Sequence, residues 1–198
     1  MLEILEKPQP KSADDKRARL LAAALELFES RGFDGVSVPE IAAKAGVAVG
    51  TVYRYFETKE ALVNALYRHW KTIYNEVVLA PLPPGLSIRG QFGAYWQRMT
   101  LFARARSAAT RFMDLHHHGN YLDEESRALS RTYREAAEAF IREGRKAGAI
   151  RDLDPVMVVA LMWGAAAGLV KFASQGALDF DGATATDMEE ALWRAIAK

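Results

Sequence analysis

The sequence predicts an all-α chain of about nine helices, and three observations carry that prediction. Strand-like alternation of apolar and polar residues is nearly absent, whereas helix-starting and helix-stopping residues recur along the whole chain. Apolar residues return at helical spacing, as Leu21, Leu25 and Phe28 do within LLAAALELF. The stretch PLPPG, residues 81–85, is a break that no helix crosses, and it marks a boundary between a small N-terminal module and a larger C-terminal one.

Taken in order, residues 1–14 are charged and proline-broken and read as a flexible arm. They contain no apolar run of the kind a secretory signal carries. Ser12 and Asp15 have capping-box spacing ahead of the first helix, and Gly32 is placed to stop it. Ser37 and Glu40 form a second box around Pro39, and Gly46 closes that short helix. A third helix is predicted over Val49 to Phe56, and Thr58 caps a fourth that runs to about Val78. Beyond the break, helices are predicted near 88–105, 107–118, 123–147, 155–175 and 186–197. Their signals are Asp123 as cap, Gly148 as stop, Asp154-Pro155 as cap and first turn, Gly176 as stop, and Thr186 with Glu189 as a last box. The domain reading is therefore an arm at 1–14, a head at 15–60 and a body at 61–198.

Composition bounds the function without naming it. The chain has 198 residues, half of them hydrophobic, which suffices for a real core. It has no cysteine, so disulfides and thiolate metal sites are excluded, and a reducing cytoplasm suits it. The apolar run VMVVALMWGAAAGLV, residues 156–170, is 15 residues long against the ~20 of a membrane span, so it is read as a buried helix of a soluble chain with no membrane partner. Net charge is only +1. Residues 36–60 cancel to zero, with Lys44, Arg54 and Lys59 against Glu40, Glu57 and Glu60. Charge totals give no support for nucleic-acid binding, so the case rests on positions.

Those positions are in AGVAVGTVYRYFETKE, residues 45–60. Two helices of about two turns are marginal alone and have to be held by packing. On the second, Val52 and Phe56 are four apart and face Ile41, while Gly50 and Arg54 point away. Thr51 and Tyr55 take one flank, Val49 and Tyr53 the other. The outward surface thus offers a hydroxyl, two phenols and a guanidinium around a glycine that keeps approach close. That pattern is a helix-turn-helix whose second helix enters a major groove of double-stranded DNA.

The run GFDGVSVPEIAAKAGVAVGTVYRYFETKEAL, residues 32–62, with LLAAALELF before it, resembles the DNA-binding region of TetR-family transcriptional regulators. The resemblance implies an all-α homodimer with an N-terminal reader and a C-terminal ligand-binding and dimerisation domain. It implies a cytoplasmic, ligand-responsive regulator, a repressor, released from a palindromic operator by a small effector. Ser37 would cap the second helix and touch phosphate, and Val49, Gly50 and Tyr53 would lie nearest the bases. Thr51, Tyr55 and Lys59 would bind phosphates. The chain departs from the family at Ala48, where a serine is common, and at Val49, where polar residues often read bases.

The C-terminal module carries less. Trp96, Met99, Phe112, Met113, His116 and Trp163 are grouped as a pocket for an apolar or aromatic effector. Helix 155–175 is apolar nearly all round, which predicts burial on most sides. Gly164 and Gly168 give it a smooth stripe, and with Phe172, Trp193 and helix 186–197 it is predicted to form an isologous four-helix dimer interface. A rival reading is a metal-dependent helical enzyme centred on Asp114 and His118, which are four apart in RFMDLHHHGNYLDEE. Three successive histidines splay by ~100° each, so one ion cannot collect them. No HExxH motif, catalytic triad, P-loop or dinucleotide fingerprint is present, and the chain is read as using no metal, no cofactor and no enzymatic chemistry.

Overall fold

The structure, a computed structural model, describes residues 16–116 and 119–198. The N-terminal arm, the Ser12 box and His117 and His118 lie outside the described residues. Among the described residues there are nine helices: α1 Lys16–Arg31, α2 Val38–Ala45, α3 Val49–Tyr55, α4 Lys59–Val78, α5 Ile88–Ala105, α6 Ser107–His116, α7 Glu124–Lys146, α8 Pro155–Ser174 and α9 Gly182–Ile196. Extended pairing among them is limited to one isolated antiparallel bridge between Ile150 and Ala197.

The chain divides into two compact units, but not by one cut at PLPPG. The first comprises the described residues up to Ile73 with Ala108–Leu129, and the second Tyr74–Ser107 with Ser130–Lys198. The first unit is discontinuous because α6 packs back onto the head. Phe112 and His116 lie against Phe28 of α1, at ring-centroid distances of 6.5 and 5.9 Å. Arg111 clamps Glu29 with two hydrogen bonds, of 2.7 and 3.1 Å. Buried Asn64 of α4 then ties down the turn into α7. Its amide donates to Tyr121 O at 2.8 Å, and its oxygen accepts from the Asp123 N–H and the Ser126 hydroxyl, both at 2.8 Å. A buried amide satisfied on both sides fixes this turn as a helix-like element would.

In the second unit α5 packs on α8, and α9 on both. The end of α4 is closed by a side chain rather than a glycine. Buried Arg98 donates to Val78 O at 3.3 Å, to Pro81 O at 3.1 Å and to Ala80 O. A guanidinium at a helix C-terminus satisfies orphan carbonyls and meets the negative end of the dipole. This contact, not the prolines alone, shapes the break.

Two expectations are corrected. The last helix starts at Gly182, four residues before Thr186, because Asp181 is the better cap and accepts from Thr184 N at 2.8 Å. Thr186 bonds inside the helix to Gly182 O, and Glu189 instead pairs with Arg89 at 2.6 Å. Secondly, the helix predicted over 155–175 forms as Pro155–Ser174, and it is long and apolar enough by length and composition to cross a membrane, although the run of 15 residues within it reads as too short to do so. Nor is it buried on most sides: only Val158, Met162, Ala166, Leu169 and Val170 are covered. Met157, Leu161 and Phe172 are 55, 42 and 50% exposed, and a Cβ at Gly164 or Gly168 would meet nothing within 4 Å. These five residues fall on one helical face, which the chain by itself leaves bare.

Candidate nucleic-acid interface

Helix α2 begins where Ser37 and Glu40 cap each other. Ser37 N donates to Glu40 Oε2 at 2.8 Å, and Glu40 N donates to Ser37 Oγ at 3.4 Å. The Ser37 hydroxyl also donates to Glu40 at 2.7 Å. These hydrogen bonds, with the Arg31 guanidinium 2.8 Å away, hold the Glu40 carboxyl down at about 2. A phosphate touched by Ser37 would have to draw that hydroxyl from Glu40. The helix ends at Gly46, whose φ of 65° is left-handed. Its N–H bonds Ala43 O and the Val47 N–H bonds Ala42 O, at 3.1 and 3.0 Å, which turns the chain sharply into α3.

Helix α3 has no side-chain cap, since Ala48 supplies none. Its inner face is fixed instead by burial of Val52 and Phe56 with Ile41. Geometry then dictates the outer face. Val49, Tyr53 and Tyr55 are 38, 49 and 44% exposed, Gly50 and Arg54 are exposed, and Thr51 is half-buried. A Cβ on Gly50 would meet nothing within 4 Å, so the chain's own packing does not require a glycine there. The surface has Gly50 and the Arg54 guanidinium at its centre and the phenols of Tyr53 and Tyr55 with the Thr51 hydroxyl on its flanks, groups that can meet phosphate oxygens or base edges in a groove.

At the start of α4, Thr58 accepts from Ala61 N at 3.0 Å, and half-buried Lys59 rests on the Phe33 ring. Arg17, from the first turn of α1, lies 5.6 Å from the Phe56 centroid and adds a cation beside α3. Sequence spacing cannot flag Arg17, because the contact joins residues 39 positions apart.

The residues grouped as an effector pocket are divided between the two units. Phe112, Met113 and His116 are buried in the first unit, whereas Trp96, Met99 and Trp163 belong to the second. His116 is fully buried, with Nε2 3.3 Å from Phe28 O and Nδ1 against the Tyr121 hydroxyl. Since a carbonyl only accepts, Nε2 carries the proton and Nδ1 accepts from Tyr121. Trp96 is spent on packing and on a 2.7 Å hydrogen bond to Ala185 O, and Trp163 lies against Tyr74. Met99 alone of the six lines a recess of the second unit, with Tyr95, Tyr133, Phe140, Ile141 and Met162. Trp193 is half-buried, 5.3 Å from Phe92 and under Arg89. Among the described residues no three His, Asp or Glu side chains gather as a metal site, and His118, needed for the metal reading, lies outside them.

Two family models cover most of the chain. Residues 20–66 match bacterial regulatory proteins of the tetR family, and residues 67–198 match a tetracyclin repressor-like C-terminal domain. Among curated relatives, the HTH-type transcriptional repressor KstR of Rhodococcus jostii (strain RHA1) is 35% identical over 108 residues, half of each chain. The uncharacterized HTH-type transcriptional regulator YvdT of Bacillus subtilis (strain 168) is 42% identical over 57 residues, 29% of each chain. The chain thus spans half or less of the length of these relatives. A solved TetR family transcription regulator from Marinobacter aquaeolei VT8 superposes with a TM-score of 0.81 at 22% identity, over 93% of this chain and 97% of that one, a likeness of fold.

Proposed function

From the premise that this chain belongs to the tetR family of bacterial regulatory proteins, we propose that it is a cytoplasmic, ligand-responsive transcriptional repressor that works by binding, not by chemistry. It binds a palindromic operator as a homodimer, and a small effector releases it. The observation that carries the reading is the outer face of α3: two exposed tyrosines, an arginine and a glycine whose side-chain space is empty. Val49, Gly50 and Tyr53 lie nearest the bases, Thr51, Arg54, Tyr55 and Lys59 contact phosphates, and Ser37 joins them by releasing Glu40. The head is residues 15–60, and the body at 61–198 pairs the two copies.

The bare face of α8 supports the pairing. Met157, Leu161, Gly164, Gly168 and Phe172 form one apolar stripe, and a second copy of the same stripe would cover it as an isologous interface with α9 and Trp193 alongside. The two reading helices must sit about 34–36 Å apart to enter successive major grooves, and that spacing is set by the body. An uncharged apolar or aromatic effector suits the recess at Met99, which no charged side chain lines. Release follows if the effector prefers a dimer whose heads are wrongly spaced. Selection of tight-binding sequences from random duplexes by the full chain tests the whole reading. A recovered motif with two-fold symmetry, bound with steep salt dependence, is the expected result; failure to enrich any sequence would refute it.

A further inference from the structure

Lys59 is held from below by an aromatic column. Its Nζ lies 4.1 Å from the Phe33 ring centroid. Phe33 stacks on Tyr121, with centroids 4.1 Å apart and ring planes at 22°. Tyr121 is anchored in turn, because its hydroxyl donates to buried His116 and a Cβ at Gly119 would run into its ring. The column therefore runs from the start of α4, through the turn after α1, to the segment that follows α6.

The geometry points to Phe33 and Tyr121 as positioning residues for DNA binding: they form a two-ring post that sets the Lys59 ammonium where a phosphate is met. A ring face attracts an ammonium without neutralising it, so the charge stays available to an anion while the flexible lysine stem is confined. A carboxylate partner would do the reverse. Phe33 itself stands in a turn, so its ring is fixed by its neighbours: Tyr121 at 4.1 Å and, more distantly, Phe28 of α1 with centroids 6.1 Å apart. The inference rests on Lys59 contacting phosphate, as read above.

Phe33→Leu keeps the apolar bulk and removes the ring, whereas Phe33→Trp keeps a π face. The probe is a duplex recovered by the selection, with a mixed-sequence duplex beside it, bound by the full chain across a salt series. A cation–π contact at an exposed site corresponds to about 2–5-fold in affinity, or ~4–25-fold for a dimer with two heads. Phe33→Leu is expected to weaken binding to both duplexes by that factor, and Phe33→Trp to restore it. In a Lys59→Ala background the same Phe33→Leu change should alter affinity by less than ~2-fold, because the group it positions is gone. Thermal melts of each variant verify the fold, and Phe33→Met takes the place of Phe33→Leu if that variant melts out. Equal losses in both backgrounds would mean that Phe33 only packs, and would overturn the inference alone. If Lys59→Ala changes neither affinity nor the salt slope, the phosphate reading fails and takes the inference with it.

Discussion

Gly50 offers the sharpest separation between folding and binding. It sits in α3 with open space where a Cβ would project, and its backbone is not left-handed. Alanine there removes unfolded-state freedom without a clash, which stabilises by about 0.4–1 kcal/mol. For a chain of this size that is a rise of roughly 1–4 °C in Tm. A leucine Cβ meets the same open space, and at this exposed helical position leucine should not destabilise. Binding moves the other way. A leucine side chain extends outward by about the gap that separates a hydrogen bond from none, and it lifts the helix from the groove floor. Loss of one base contact per head, at ~1–3 kcal/mol each, becomes about 2–6 kcal/mol in a dimer, or some 30-fold and more in operator affinity. Non-specific binding, carried by phosphates, should fall much less. Calorimetry for Tm and titration of the selected duplex against a scrambled one provide both readouts. Gly50→Leu with native operator affinity, or Gly50→Ala with a lowered Tm, would refute the placement of this face.

Other consequences are as direct. Lys59→Ala and Tyr55→Phe should weaken binding alike across sequences, the former with a salt slope lower by ~1 per head, while Tyr53→Ala should also change which sequences a repeat selection recovers. Gly168→Leu should loosen the dimer and with it operator binding while the fold persists; light scattering showing an undisturbed dimer with native binding would put the interface elsewhere. Arg98→Met should cost about 2–4 kcal/mol, because carbonyls at the end of α4 lose a charged donor in a buried site, and the Tm should drop by roughly 4–16 °C. An unchanged melt would show that solvent satisfies those carbonyls.

The head was legible in the sequence because its determinants are local. Capping by Ser37 and Glu40, the left-handed turn at Gly46 and the inward pair Val52 and Phe56 all act within a few residues, and each appears where spacing placed it. The body was legible in its helices but not in their partners. The aromatic and methionine residues from Phe92 to Met113 read alike in sequence, yet they are divided between two cores, because Arg111, bound to Glu29 of α1, and Asn64 of α4 hold α6 and its following turn in the first unit. Such long-range hydrogen bonds leave no periodic trace. The same holds for α8: its composition predicted burial on most sides, whereas Met157, Leu161 and Phe172 are exposed, because composition does not say which face the rest of the chain covers.

Charge totals misled for a related reason, and this yields a last test. Residues 36–60 sum to zero, but Glu40 is occupied by Ser37 and Arg31, whereas Arg54 is exposed on the outer face of α3. A count treats both as equal, although a phosphate meets them very differently. Glu40→Gln keeps an oxygen for the Ser37 N–H and deletes the negative charge beside the reading head. It should strengthen DNA binding, more at low salt than at high, because repulsion of phosphate is removed. It should also lower the stability of the free chain near neutrality. The sign follows from the carboxyl, held at about 2 in the fold against 4.5 ordinarily. Its contribution is complete above about 4.5 and disappears as the pH falls toward 2. Melting curves of the two chains should therefore differ at pH 7 and converge in acid. A constant difference over that range would mean that the cap stabilises α2 through hydrogen bonds alone, and an unchanged salt slope would mean that Glu40 is remote from the bound phosphates.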